Sequence, residues 1–189
     1  MKILTLQGSP RADGNTATVL KEFENLVQQN HTVERVNIAD LQIHGCLGCL
    51  GCQSDKNKPG CRQVNDDANA VLEKICAADV VIYATPLYCW SFSAQLKALL
   101  DRHLCLVKGI FTNDQTSLIQ GKQLALLVTC GGSEEASADI IQELFNRIAH
   151  FCQCQILGKY ILPFCTGPDA LPGRTTSLVQ AMVRDIEGL

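Results

Sequence analysis

The chain has 189 residues, enough to bury one substantial core without staples. Its formal net charge is −3, with 16 Lys and Arg mixed among 19 Asp and Glu, so no basic surface marks nucleic acid or anionic lipid as a partner. No apolar run approaches the roughly 18 residues of a membrane helix, and the start, Met1-Lys2-Ile3-Leu4-Thr5, turns polar too soon for a signal peptide.

Ile3, Leu4 and Leu6 predict a first strand over residues 2–7. It stops at Gly8-Ser9-Pro10-Arg11-Ala12-Asp13-Gly14-Asn15-Thr16, and a helix follows with Val19, Phe23, Leu26 and Val27 on one face. The start of a helix carries unpaired N–H groups and partial positive charge, so this turn suits a phosphate. Arg11 adds a fork of donors that can grip two phosphate oxygens. Gly8 and Gly14 let the backbone bend and come close to a ligand.

A second strand is expected over 32–38, followed by a long loop over 40–66. A helix is predicted over 67–77, entered through Asp66-Asp67, and a third strand over 79–84. The loop after it, Ala84-Thr85-Pro86-Leu87-Tyr88-Cys89-Trp90-Ser91-Phe92-Ser93, leads into a helix over 92–107. A second long loop covers about 108–121. Then come a strand over 123–129, a helix over 138–151, a strand over about 155–162 and a helix over 176–187.

Strands alternating with helices argue for an α/β fold with a doubly wound parallel sheet. In such a sheet the ligand sits beyond the C-terminal strand ends, where the strand order reverses. For an order 2-1-3-4-5 that point lies between strands 1 and 3, between the phosphate turn and the aromatic loop. Tyr88, Trp90 and Phe92 there either support a flat, partly apolar ring or cap the core.

Gly8-Ser9-Pro10-Arg11 with Gly14-Asn15-Thr16, then Thr85-Pro86-Leu87-Tyr88, then Lys97 and Asp101-Arg102, resemble the flavodoxin-like NAD(P)H-dependent FMN reductases, in the branch near the iron–sulfur flavoproteins. The resemblance runs through the whole chain in order and spacing. It implies one flavodoxin-like FMN-binding domain over 1–189, a three-layer sandwich with a five-stranded parallel sheet. The FMN phosphate would sit on Ser9, Arg11, Asn15 and Thr16. The ring would lie against Pro86, Leu87, Tyr88 and Cys89, with Thr129, Gly131 and Gly132 at its other edge. NAD(P)H would be the electron donor, stacking on the ring, and the acceptor a small molecule or a redox protein. A homodimer or homotetramer is implied, with the cysteine loop near a subunit contact. Electron-carrier flavodoxins use an uncharged, hydroxyl-rich phosphate loop, so Arg11 favours the reductase branch. The flavin carries the chemistry, and no catalytic side chain is assigned. A P-loop would need Lys before Thr16, and a Gly-x-Gly-x-x-Gly dinucleotide turn is absent.

The chain has 11 cysteines, an odd number, which fits a reducing, cytoplasmic setting with most thiols free. Cys46, Cys49 and Cys52 stand at two-residue gaps and Cys61 follows. Four thiolates suit a [4Fe–4S] cluster or zinc, and free or redox-active thiols are the third reading. The segment resembles the compact cysteine motif of iron–sulfur flavoproteins, which would make the protein a one-electron carrier. Its gap from Cys52 to Cys61 is longer than that motif expects. Cys76, Cys105, Cys130, Cys152, Cys154 and Cys165 read as small buried hydrophobes. His31, His44, His103 and His150 pair with no nucleophile motif, and Lys97 and Arg102 read as solvated surface charge.

Overall fold

The computed structural model describes residues 1–167, 171 and 173–189. Its strands are β1 (Lys2–Gln7), β2 (Thr32–Asn37), β3 (Val80–Pro86), β4 (Val107–Lys108), β5 (Thr116–Ser117), β6 (Gln123–Thr129) and β7 (Gln155–Leu162). Its α-helices are α1 (Asn15–Val27), α2 (Ala68–Ala77), α3 (Ala94–Asp101), α4 (Glu134–Ser137), α5 (Asp139–Phe151) and α6 (Thr175–Glu187). Five strands form one parallel sheet in the order β2-β1-β3-β6-β7, the expected 2-1-3-4-5 arrangement. β4 and β5 make a small antiparallel hairpin inside the second long loop.

The central strands β3 and β6 are buried along nearly their whole length, because helices cover both faces of the sheet. On one face Ile3, Ile82 and Leu127 meet Val19 and Phe23 of α1 and Met182 and Ile186 of α6. On the other, Leu4, Val81 and Leu126 meet Leu72 of α2, Leu96 and Leu99 of α3 and Phe145 of α5. Leu26, expected on the buried face of α1, is 46% exposed. The helix expected over 92–107 is shorter: α3 ends at Asp101 and a 3-10 turn covers Arg102–Cys105. Among the described residues no helix is long and apolar enough to cross a membrane.

That 3-10 turn overturns one expectation. Arg102, read as solvated, is fully buried. Its Nη1 donates to Asp66 Oδ2 at 2.6 Å and its Nη2 to Asp66 Oδ1 at 3.3 Å. The same two nitrogens donate to His44 O at 2.9 Å and Gln63 O at 3.3 Å. Arg102 thus clasps both ends of the cysteine loop, and a buried guanidinium is tolerable because a carboxylate and two carbonyls face it. Asp66 serves both this ion pair and the start of α2, where its Oδ1 accepts from Ala68 N at 3.2 Å. Burial pushes its carboxyl up, and the hydrogen bonds from Arg102 and from the N–H groups of His44 and Ala68 outweigh that and hold it below its ordinary value.

Candidate functional site

The C-terminal ends of β1, β3, β6 and β7 form one rim, fastened by hydrogen bonds between segments far apart in sequence. Gly8 N donates to Ala84 O at 2.8 Å, and Ser93 Oγ donates to Gly8 O at 2.6 Å. Leu87 N donates to Thr129 O at 2.9 Å. Thr16 Oγ1 and Thr129 Oγ1 share a hydrogen bond of 2.7 Å. Gly8 has no room for a side chain: a Cβ there would lie 2.8 Å from Leu96 Cβ. The turn over 8–16 is therefore fixed against both the loop after β3 and the end of β6.

The two segments line one cavity of about 140 Å³. Ser9, Arg11, Gly14, Asn15 and Thr16 form one wall, and Pro86, Leu87 and Tyr88 form another. Thr129, Cys130, Gly131 and Cys165 close it. It shares Arg11, Gly14, Asn15 and Cys165 with an outer cleft of about 430 Å³ that runs over Arg11–Asn15 and Cys165–Gly167.

Local chemistry shapes the first wall. Ser9 Oγ accepts from Arg11 N at 3.1 Å, and Gly14 N donates to Arg11 O at 3.3 Å, which curls the turn into the start of α1. No side chain caps α1, and its first turn holds no acidic residue. The helix end is thus left electropositive beside the cavity.

The second wall ends in a tight reversal. Tyr88 N donates to Ser91 O at 3.1 Å and Ser91 N to Tyr88 O at 3.0 Å. Between them Cys89 and Trp90 have φ of 48° and 61°, both left-handed. Two consecutive non-glycine residues in that region cost about 1–2 kcal/mol each. Strain of this kind gathers at ligand sites. The aromatics divide: Phe92 is buried in the core, Tyr88 lines the cavity and Trp90 is 57% exposed. The core-capping reading is right for Phe92 alone. Cys89 and Gly132 are not among the lining residues: Cys89 is exposed next to Tyr88, and the Gly132 carbonyl accepts from Phe164 N at 3.2 Å.

Cys130 and Cys165, expected as small buried hydrophobes, line the cavity. The signal that finds Cys130 is topological: it follows the C-terminal end of β6, the neighbour of β3 at the switch point, whereas Cys165 lies three residues past the end of the edge strand β7.

The cysteine loop is anchored but its four named sulfurs are not gathered. Cys46 and Cys49 are exposed, whereas Cys52 and Cys61 are buried. Among the described residues no group of three or more His, Cys, Asp or Glu is placed to hold a metal ion. Burial raises the Cys105 thiol strongly, and its neighbours Cys52 and Cys61, both within hydrogen-bonding reach, add to this. Beneath the loop the buried Lys108 Nζ donates to Cys52 O at 2.8 Å, and Gln53 Nε2 donates to Val107 O at 2.9 Å.

His103 is structural. Its Nδ1 pairs with Leu99 O at 3.0 Å and its Nε2 with Tyr83 Oη at 2.8 Å. The carbonyl requires Nδ1 to carry the proton, so the Tyr83 hydroxyl donates to Nε2. Burial lowers its pKa to about 4.

The family described as NADPH-dependent FMN reductase matches residues 1–178. An iron–sulfur flavoprotein of Methanocaldococcus jannaschii is 30% identical over 146 residues, covering 77% of this chain and 72% of that protein. Another, from Methanosarcina thermophila, is 33% identical over 112 residues, covering 59% of this chain and 56% of that protein. Among solved structures, an FMN-dependent NADH-azoreductase from Bacillus anthracis in complex with FMN superposes with a TM-score of 0.71 at 15% identity, over 97% of this chain and 99% of that one. That likeness shows the flavodoxin-like fold. The extent of the family match and the identity to the first relative establish that the chain belongs to the NADPH-dependent FMN reductase family, a family of oxidoreductases.

Proposed function

We propose that the chain binds FMN in the rim cavity and transfers electrons from NAD(P)H to a small-molecule or protein acceptor. The carrying observation is that the turn over 8–16 and the loop over 84–93 line the same cavity.

The donor set fits FMN. Ser9, Arg11, Asn15 and Thr16 offer hydroxyl, guanidinium and amide donors beside an uncapped helix start, as a phosphate dianion requires. Pro86, Leu87 and Tyr88 offer a flat, partly apolar platform, as a ring system requires. Thr129 and Gly131 close the far edge, and Cys89 and Gly132 flank it as further candidates for ring contact. Bound FMN would supply hydride and single-electron transfer. The chain's own residues bind and orient the cofactor, and Thr16 and Thr129 hold the phosphate end against the ring end. In this reading 1–189 is one flavodoxin-like domain that works in the cytoplasm as a homodimer or homotetramer. Titrating cofactor-free protein with FMN tests it: binding that quenches flavin fluorescence supports the assignment, and a protein that leaves FMN free refutes it.

A second reading has its own support. The archaeal relatives are iron–sulfur flavoproteins, and this chain carries Cys46, Cys49 and Cys52 at two-residue gaps with Cys61 following. As they stand, two exposed and two buried sulfurs do not form a cluster cage. Protein purified without oxygen decides between the readings. Stoichiometric iron with acid-labile sulfide favours the one-electron carrier, and a yellow, iron-free protein that oxidises NADPH steadily favours the reductase.

A further inference from the structure

The wall of the rim cavity holds two thiols that the flavin chemistry does not use. Cys130 follows β6 and Cys165 follows β7, its parallel neighbour. Cys130 N donates to Leu162 O at 3.0 Å and Cys165 N donates to Cys130 O at 2.8 Å. These bonds extend the ladder past the strand ends and set the two residues side by side. Both thiols reach one atom, Leu162 O, which lies 3.9 Å from Cys130 Sγ and 3.3 Å from Cys165 Sγ; Gly132 O lies 3.5 Å from Cys130 Sγ and Pro163 O 3.7 Å from Cys165 Sγ. Two thiols that share an acceptor, on residues joined by a backbone hydrogen bond, are close neighbours, and side-chain rotation would be needed to bring the sulfurs to bonding distance.

We propose that Cys130 and Cys165 form a dithiol–disulfide couple that exchanges with low-molecular-weight disulfides, at a site the cofactor covers when bound. Only the last clause rests on reading the cavity as the FMN site.

Exposure sets the order of events. Cys165 is half-buried and lines both the cavity and the outer cleft, whereas Cys130 is buried at the back. Cys165 is therefore the entry thiol and Cys130 the resolving one. Arg174 holds the entry segment, donating from Nη2 to Pro163 O at 2.7 Å and from Nη1 to Phe164 O at 3.3 Å. Burial raises both thiols. Arg174 opposes the rise at Cys165, and Cys165 and Glu134 add to it at Cys130. With both thiols raised, exchange is slow at neutral pH and faster in alkali.

The co-reactant is a small disulfide, RSSR. The Cys165 thiolate attacks one of its sulfurs, the bond between Cys165 Sγ and that sulfur forms, and the original S–S bond breaks. The leaving thiolate takes up the proton that Cys165 lost and departs as RSH. Cys130 then attacks Cys165 Sγ, the protein disulfide forms, and a second RSH leaves with the proton from Cys130. Two thiols have lost two electrons and RSSR has gained them.

The test treats the full chain, stripped of cofactor, with glutathione disulfide in mild alkali, blocks residual thiols with N-ethylmaleimide and maps the peptides. The expected product is a peptide pair joined through Cys130 and Cys165, about 2 Da lighter than the reduced pair. Cys130→Ser is expected to stop at a glutathione adduct on Cys165. A stable adduct on Cys165 of the unaltered chain, or an unreacted Cys165 while exposed Cys46 and Cys49 are modified, overturns the proposal. Both of those results come from the unaltered chain, so neither depends on a variant folding. With FMN present at roughly ten times its Kd, joining is expected to slow about tenfold, because only the free cavity reacts. A joined product formed at the same rate with FMN leaves the couple standing and removes FMN from the cavity.

Discussion

Thr16 and Thr129 meet hydroxyl to hydroxyl at 2.7 Å, tying the first turn of α1 to the last residue of β6. Both are buried apart from the cavity they line, so water has little access to either hydroxyl. Thr16→Val leaves the Thr129 hydroxyl unsatisfied and is expected to cost about 1–3 kcal/mol of stability. The double variant Thr16→Val with Thr129→Val is expected to cost less than the sum of the two single changes. Denaturant unfolding of the four proteins checks this, and strictly additive losses contradict the contact.

The ion pair between Arg102 and Asp66 makes a second prediction. Asp66→Asn leaves the buried guanidinium without its counter-charge and is expected to destabilise the chain by about 3–5 kcal/mol. Limited proteolysis checks the local consequence, with cleavage appearing first between His44 and Gln63, the residues whose carbonyls Arg102 holds. Cleavage elsewhere first would show that the loop is held by other contacts.

His103 gives a pH dependence with a defined sign. Its pKa is lowered to about 4 in the folded chain, against about 6.5 unfolded. The unfolded chain therefore binds the proton more readily between those values. The stabilisation is fully present above the unfolded value and is lost as pH falls through that window, by about 3 kcal/mol at most. His103→Gln keeps polar atoms near Tyr83 and Leu99 but does not titrate. Unfolding curves at near-neutral and mildly acid pH are expected to show a smaller acid loss for the variant; an identical loss means His103 is not what charges.

The reversal at Cys89 and Trp90 predicts an unusual tolerance. Cys89→Gly relieves left-handed strain and is expected to leave stability unchanged or slightly higher, within about 0.5 kcal/mol. Cys89→Val places a β-branched side chain at positive φ and is expected to cost more than about 1 kcal/mol. Thermal melts of the two variants check the order.

The sheet was legible because continuous apolar runs such as Val80-Val81-Ile82-Tyr83 admit one reading between helical stripes. The rim was legible because Gly8, Gly14 and Arg11 have a chemical purpose in a turn, and topology says where such a turn must lie. Arg102 was not legible: its burial depends on Asp66, His44 and Gln63, which the long loop brings back from a distance. Cys165 was hidden for the same reason, since its neighbour Cys130 comes from the adjacent strand end. Periodicity reports the face of an element, not which distant side chain answers a buried charge or thiol.

In the proposed reading the turn over 8–16 holds the phosphate of FMN while the loop over 84–93 supports its ring. The most direct measurement is a parallel titration of the unaltered chain and Arg11→Ala with FMN and with riboflavin, which carries the same ring but no phosphate. The expected result is a loss of about 10- to 100-fold in FMN affinity for the variant, the scale of a charge-assisted hydrogen bond, with riboflavin affinity unchanged. Equal FMN affinity in the two proteins, or an equal loss for both flavins, would contradict it.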